Sequence, residues 1–328
     1  MLKRTTQILI AVTSVFAQNN PPAATLVTSD IANFWKAYDS STPANRAAAM
    51  EQRYFDAGTA ALKDYLNLRV GDAQTLAYAI DQRFPEFYKT ARPYTLQVEK
   101  QADTILRYMA RFRDLYPEAA FAPVTLVIGG LGNTEFAGSH GVVINVEAFS
   151  RGPDAKTDEL KGRLNYSAPP ERLPLMVIHQ LAHTETTADE GDALPGPLVA
   201  FIREGAADFI AELVTGVQLS PRTDEWAEHA SHKLFQDLAR NLRAEAVLEG
   251  EGEPSADINI SRPNPLRFVY EYTPAGDERT TLGNWIGKKI CSSYYARSLD
   301  KAAAIRAIAS LQNIAAIVRG SEFGSLLQ

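Results

Sequence analysis

The chain has 328 residues, 45% of them hydrophobic and 22% charged, an ordinary globular composition with length enough for one large core or two smaller ones. A formal net charge of -6 and a pI near 5.5, with no run of Lys or Arg, exclude the electrostatic footprint of a nucleic-acid binder or of a protein drawn to anionic membrane surfaces. Cys291 is the lone cysteine, so no internal disulfide can form and stability rests on packing.

The N-terminus has the three parts of an export signal over residues 1–17: Lys3 and Arg4, the apolar run Ile8 to Ala17, and small residues Val15 and Ala17 suited to cleavage. This predicts a periplasmic or secreted protein; the alternative is an uncleaved amphipathic leader. The run is too short to span a bilayer, which takes about 20 apolar residues, and no later segment is long and apolar enough.

A polar spacer follows at 18–29, and residues 30–120 read as a helical N-terminal part punctuated by Pro85, Pro93 and Pro117. In "VEKQADTILRYMARFRDLY", Ile105, Met109, Phe112 and Tyr116 recur at helical spacing, with Arg107, Arg111 and Arg113 off that line as a solvated face. The period then changes. "PVTLVIGG" and "GVVINVEAF" are β-branched runs that read as a hairpin, with "LGNTEFAGSH" as the loop between them and 150–168 as an exposed polar excursion. Beyond Pro170 the chain returns to helix as far as Gly216, broken at "DEGDALPGP", and continues helical over about 223–248. "EGEGEPSADINISRPNP" reads as a second loop, followed by helices in "TLGNWIGKKICSSYYARS" and "DKAAAIRAIASL", the latter with Asp300 as its N-cap. The expected fold class is α+β, mostly helical, with a small sheet or hairpin before the helix that carries the chemistry. Residues 121–320 form one compact unit with the helical N-terminal part in this reading.

That chemistry lies in "VIHQLAHTE". His179 and His183 are four residues apart, about 40° around a helix, so both can reach one metal ion. Val177 and Leu181 point away, which predicts a helix buried on one side and offering its histidines from the other. The complement lies in "FIREGAADFIAELVTG", where Glu204 and Asp208 are again four apart and Ile202, Ala206, Phe209 and Leu213 form an apolar line. A catalytic zinc site of the thermolysin type takes two histidines and one glutamate, so His179, His183 and Glu204 are the candidate ligands, on two helices packed antiparallel. Asp208, one turn further, can accept the spare ring N–H of a ligating histidine. Taken singly, each carboxylate also reads as a solvated residue on an amphipathic helix; the combination points to Zn2+. "GVVINVE" is the candidate edge strand for an extended peptide substrate, or an ordinary sheet strand.

These segments, with "IGGLGNTEFAGSHGVVINVE", "REGAADFIAELVTG" and "GNWIGKKICSSYYARSLDKAAAIRAI", resemble a family of bacterial predicted zinc-dependent proteases, a domain of unknown function loosely allied to gliding-motility proteins. The resemblance extends over about 124–310. It implies a gluzincin-like α+β domain, zinc ligands at His179, His183 and Glu204, Asp208 behind them, and a peptide or protein substrate.

The departure is Gln180, where the family's His-Glu-x-x-His pattern has the general-base glutamate. An amide can hydrogen-bond to water but cannot take its proton, and loss of a general base costs about 10²- to 10⁴-fold in rate. Three explanations are open: a deliberate inactivating substitution, a natural variant with another base, or a non-catalytic descendant that binds peptides or a protein partner. Glu185 lies on a different face from Gln180 and is a poor substitute. Tyr294, Tyr295, His229, His232 and His140 are candidate oxyanion donors, each with a plainer reading as a core tyrosine or surface histidine. Asp189, Glu190 and Asp192 cluster in the connecting loop as a solvated acidic group or a calcium site.

Overall fold

The computed structural model describes residues 25–131, 135–160, 168–187, 194, 196–249 and 282–327. The signal-like segment, the acidic group at 189, 190 and 192, and the loop from 250 onward lie outside the described residues.

A two-residue strand, β1 (Leu26–Val27), leads into helices α1 (Ser29–Asp39), α2 (Arg46–Met50), α3 (Ala60–Tyr65), α4 (Ala73–Tyr78), α5 (Pro85–Thr95) and α6 (Val98–Leu115). Part of the expected spacer is therefore a strand. Side-chain caps start two of the helices: Thr59 Oγ1 accepts from Leu62 N at 3.1 Å and Asp72 Oδ1 from Thr75 N at 2.7 Å. The helices α2, α3 and α4 each run on into a π-helical turn, at Glu51–Phe55, Leu66–Val70 and Ala79–Arg83. The wider turn appears in bonds such as Asp56 N to Glu51 O (2.9 Å) and Gly71 N to Leu66 O (2.7 Å). In α6 the line Ile105, Met109, Phe112, Tyr116 is buried as its spacing requires. Arg113 departs from the expected solvated face, because its guanidinium lies 5.0 Å from the Phe121 ring centroid.

Strands β2 (Val124–Val127), β3 (Glu135–Gly138) and β4 (Gly141–Asn145) complete a mixed sheet in the order β1-β2-β4-β3. Two expectations are corrected here. The runs around 124 and 141 pair parallel, Val124 opposite Val142 through Val127 opposite Asn145, so they do not form the hairpin; the hairpin is β3–β4, made from residues read as a loop. "GVVINVE" is consequently an interior strand with both edges paired, and among the described strands the edge on that side is β3. The reason is visible in burial: β2 and β4 are buried at every position, the mark of parallel strands covered on both faces, whereas Ala137 and Gly138 of β3 are exposed.

The polar interior of this part is organised by Glu147, fully buried just after β4. Its carboxylate accepts from the Tyr88 hydroxyl and from the backbone N–H of Gly129 and Leu131, each at 3.0 Å, anchoring a turn in which Gly130 and Leu131 both have positive φ. Burial pushes the Glu147 carboxyl up, against the pull of those donors. Tyr54 works beside it, its hydroxyl donating to Ile128 O at 2.6 Å and accepting from Ile128 N at 3.0 Å.

The chain then forms α7 (Leu173–Thr184), α8 (Gly196–Thr215), α9 (Pro221–Glu249), α10 (Leu282–Arg297), α11 (Lys301–Ser310) and α12 (Ile314–Gly320). Asp300 caps α11 as expected, accepting from Ala303 N at 2.9 Å. Residues from both parts, among them Phe34, Phe112, Leu126, Ile144, Val177 and Ile210, belong to one apolar core. The architecture is mostly helical with a small mixed sheet, an α+β fold. No described helix is long and apolar enough to cross a membrane.

Glu147→Ala would leave two buried backbone N–H groups and the Tyr88 hydroxyl without their acceptor. At about 1–3 kcal/mol per orphaned group, the expected loss in a urea unfolding series is at least about 3 kcal/mol, with Glu147→Gln milder because its amide oxygen still accepts. A loss below about 1 kcal/mol for the alanine variant contradicts this role.

Candidate metal centre

The first metal-site helix, α7, starts where proline can only help. A 3-10 turn at Pro170–Arg172 leads in, and Pro174 occupies the first helical turn, where its missing N–H costs nothing. Arg172 ties this end to the chain beyond α8, donating to Gln218 O at 2.8 Å and to Leu219 O. At the other end Thr187 N donates to Ser310 O at 2.9 Å, at the close of α11.

The expectation of an α7 buried on one side holds for His183 and is corrected for His179, which is buried. Leu173, Leu175, Val177, Ile178, His179, Leu181 and Ala182 are all buried, because the helix runs between α6, α8 and β4 and has neighbours on nearly every side. His179 therefore faces another helix, while His183 stays part-exposed in one stripe with Met176, Gln180 and Thr184. On α8, Ala207, Ile210, Ala211 and Val214 are buried along with Ile202, Ala206 and Phe209 of the expected apolar line, while Leu213 is half-buried.

The two helices pair in opposite directions. His179 meets Asp208 and His183 meets Glu204, so a step of four residues up α7 matches a step of four down α8. His179 Nε2 and His183 Nε2 are 3.1 Å apart, Glu204 Oε2 is 3.5 Å from His183 Nε2, and it is 3.8 Å from His179 Nε2. Three donors bound at about 2.0–2.1 Å to one tetrahedral ion would lie about 3.3–3.4 Å apart, so this triangle already has nearly the size that such an ion requires. His179, His183 and Glu204 form a group that can hold a metal ion.

Asp208 stands behind His179. Its side chain is 1% exposed, and Oδ1 lies 2.8 Å from His179 Nδ1. The approach is off the line of an ideal hydrogen bond, so both atoms and Asp208 Oδ2 lack a well-aligned partner. The short separation and the burial still make this carboxylate the partner of Nδ1, which leaves the Nε2 lone pair directed at the other two ligand atoms. Burial alone would lower the His179 pKa; the contact with Asp208, its charge and that of Glu204 outweigh it and raise the value. For Glu204, burial pushes up but the hydrogen bond and charge of His183, then His179 and Arg203, hold the carboxyl below the ordinary glutamate range. The Glu204 side chain is 45% exposed, so water screens these effects and the triangle is open on that side.

Gln180 is part-exposed on α7 between the two histidines. Glu185, at the C-terminal cap of α7, is turned away: it is buried, and its Oε2 accepts from Ala120 N at 3.1 Å. It is held as a structural tie, away from the candidate metal group.

The remaining candidates are placed elsewhere. Tyr295 packs its ring 5.4 Å from that of Phe209 and under the Lys301 ammonium, and Tyr294 lies over Gly320; no described hydrogen bond joins either hydroxyl to the metal group. His140 sits in the exposed β3–β4 turn, with Nδ1 2.7 Å from Asp64 Oδ2. His229 and His232 lie on the exposed face of α9. His229 Nδ1 is 2.7 Å from Glu225 O, and His232 is 2.8 Å from Gln236 and lines a cavity of about 840 Å³ with Phe235, Lys289 and Phe323.

Sequence reasoning missed the residues that press α8 into place. A Cβ on Gly205, beside Glu204, would come within 2.0 Å of Lys288 N, and one on Gly287 within 1.7 Å of Phe201 O. Helices α8 and α10 thus cross backbone against backbone next to a ligand. The signal was a glycine inside each helical pattern, in "REGAADF" and in "NWIGKK", which marks close backbone approach.

No protein-family model, curated protein or solved structure matches this chain.

His183→Ala and Glu204→Ala are each expected to weaken Zn2+ binding more than about 100-fold in a chelator competition. Asp208→Asn is expected to weaken it about 10- to 100-fold, since it removes only the carboxylate that orients His179. Affinities within about threefold of wild type for all three variants contradict the site.

Proposed function

We propose that the chain is an exported zinc metallopeptidase of the gluzincin type whose peptide-bond hydrolysis is impaired by Gln180. The observation that carries the reading is the convergence of His179 Nε2, His183 Nε2 and Glu204 Oε2, with the Asp208 carboxylate buried behind His179. Two imidazoles and one carboxylate favour zinc over calcium or magnesium, which prefer oxygen donors. Export rests on the signal-like residues 1–17.

When bound, zinc supplies a Lewis acid for a peptide carbonyl and for water. The chain's own residues divide the remaining work. His179, His183 and Glu204 hold the ion, and Asp208 fixes the ring of His179 so that Nε2 faces the other donors. Gln180 stands between the histidines, where its amide can orient a water molecule but cannot accept its proton. Glu204 is open to solvent on one side, the direction from which an extended peptide can approach. Among the described strands β3 lies at the sheet edge, a position from which a strand can pair with an extended peptide.

Gln180 itself favours a second reading: a pseudopeptidase, stabilised by zinc, that binds peptides or a protein partner beside the same metal group without cutting them. Replacement of Gln180 by Glu separates the two. For the peptidase reading, zinc-loaded Gln180→Glu cleaves members of a broad peptide library about 10²- to 10⁴-fold faster than wild type, with zinc affinity unchanged. For the pseudopeptidase, the variant binds zinc and peptides as wild type does and turns over nothing, an outcome that would rule out the enzymatic reading.

A further inference from the structure

The carboxylates on α8 do not end with the metal group. Glu212 follows Asp208 by one turn, continuing a series at 204, 208 and 212, and it faces the ammonium of Lys288. Lys288 Nζ donates to Glu212 Oε1 at 2.9 Å and to both oxygens of Asp224 at 2.7 Å. Its side chain is 8% exposed, so one buried cation joins α8 through Glu212, α9 through Asp224 and α10 through its own backbone. Glu212 Oε1 also accepts from Leu219 N at 2.7 Å, in the turn between α8 and α9.

Burial opposes the Lys288 charge, but the two carboxylates outweigh it and raise its pKa. Glu212 is nonetheless pushed up by burial beyond what Lys288 pulls down, with Asp224 adding to the rise. One ammonium thus serves two half-buried carboxylates. Removing it leaves two negative groups facing each other across the joint between α8 and α9.

Lys288 also follows Gly287, whose Cα lies at the backbone crossing of α10 with α8. A Cβ on Gly205 would come within 2.5 Å of that Cα. The ion group and the glycine crossing therefore act on the same stretch of α8, on either side of Asp208. A rigid helix restrained by close contact at 205 and by an ion group at 212 has its rotation fixed at 204 and 208, the two positions that face the histidines.

We propose that Lys288 is a positioning residue for the metal group: by joining Glu212 and Asp224 it sets the rotation of α8 that aims Glu204 and Asp208 at His183 and His179. This rests on the metal-site reading above. The bond pattern also explains why a lysine is suited to the position, since a compact ammonium can donate to carboxylates arriving from two helices.

The test uses Co2+ as a probe, because its visible absorption reports coordination geometry as well as binding. In the full chain, Lys288→Met is expected to keep the far-UV circular dichroism of the folded protein in the cold. It should also weaken Co2+ binding about 10-fold or more and alter the absorption bands, and Lys288→Arg should restore affinity to within about threefold. A general loss of stability would lower the melting temperature without changing the spectrum of the folded, loaded protein. If Lys288→Met does not fold, Glu212→Gln is measured in its place, with the same altered bands and a smaller loss of affinity expected. Wild-type Co2+ affinity and spectrum in the folded variant overturn the positioning role and leave the metal site intact. Failure of the wild-type chain itself to bind Co2+ instead removes the metal-site reading, and this inference with it.

Discussion

Helix α8 is held by contacts on two sides at once, and the candidate site depends on that constraint. Gly205 lets its backbone press against α10, while the preceding residue, Glu204, reaches toward the histidines of α7. A helix with freedom to roll would carry Glu204 and Asp208 away from their partners together, because both lie on one stripe. The close crossing excludes any side chain at 205, and the buried ion group one turn beyond Asp208 adds a second restraint. The triangle of ligand atoms follows from a helix that cannot rotate.

The antiparallel match of α7 and α8 converts two short sequence motifs into a three-dimensional arrangement. Each motif has a spacing of four, so two contacts form from one packing decision: His179 with Asp208 and His183 with Glu204. In the function proposed above, holding a metal and cutting a peptide separate cleanly. The three groups that could hold an ion come from both helices, whereas the proposed base position belongs to α7 alone and is occupied by Gln180. On that proposal, an amide in place of a carboxylate spares the ligand set and removes the group that would take the proton.

Much of this was legible in the sequence because it is local. The helical period fixed the faces of α6, and the spacing of His179, His183, Glu204 and Asp208 carried over into contacts. What was not legible depends on partners distant in the chain. Alternation and β-branching leave the strand around Val142 as either an edge or an ordinary sheet strand, since they say nothing about which strand lies on which side; its parallel neighbour begins at Val124 and its antiparallel neighbour lies in a stretch whose glycine and polar residues resemble a loop. The burial of His179 was hidden for a similar reason: it pairs with Asp208 of α8, while Met176, Gln180, His183 and Thr184 keep a part-exposed stripe on α7. Lys288 carries no signal in its local sequence, and only the meeting of three helices shows it buried between two carboxylates.

The central claim is that two imidazoles from α7 and one carboxylate from α8 hold a single ion. Zinc K-edge X-ray absorption on the zinc-loaded full chain tests it most directly. The account predicts a nitrogen and oxygen shell at about 2.0–2.1 Å, with outer-shell scattering from two imidazole rings and no sulfur near about 2.3 Å. Absence of imidazole scattering, or a chain that retains no zinc after buffer exchange, would contradict it.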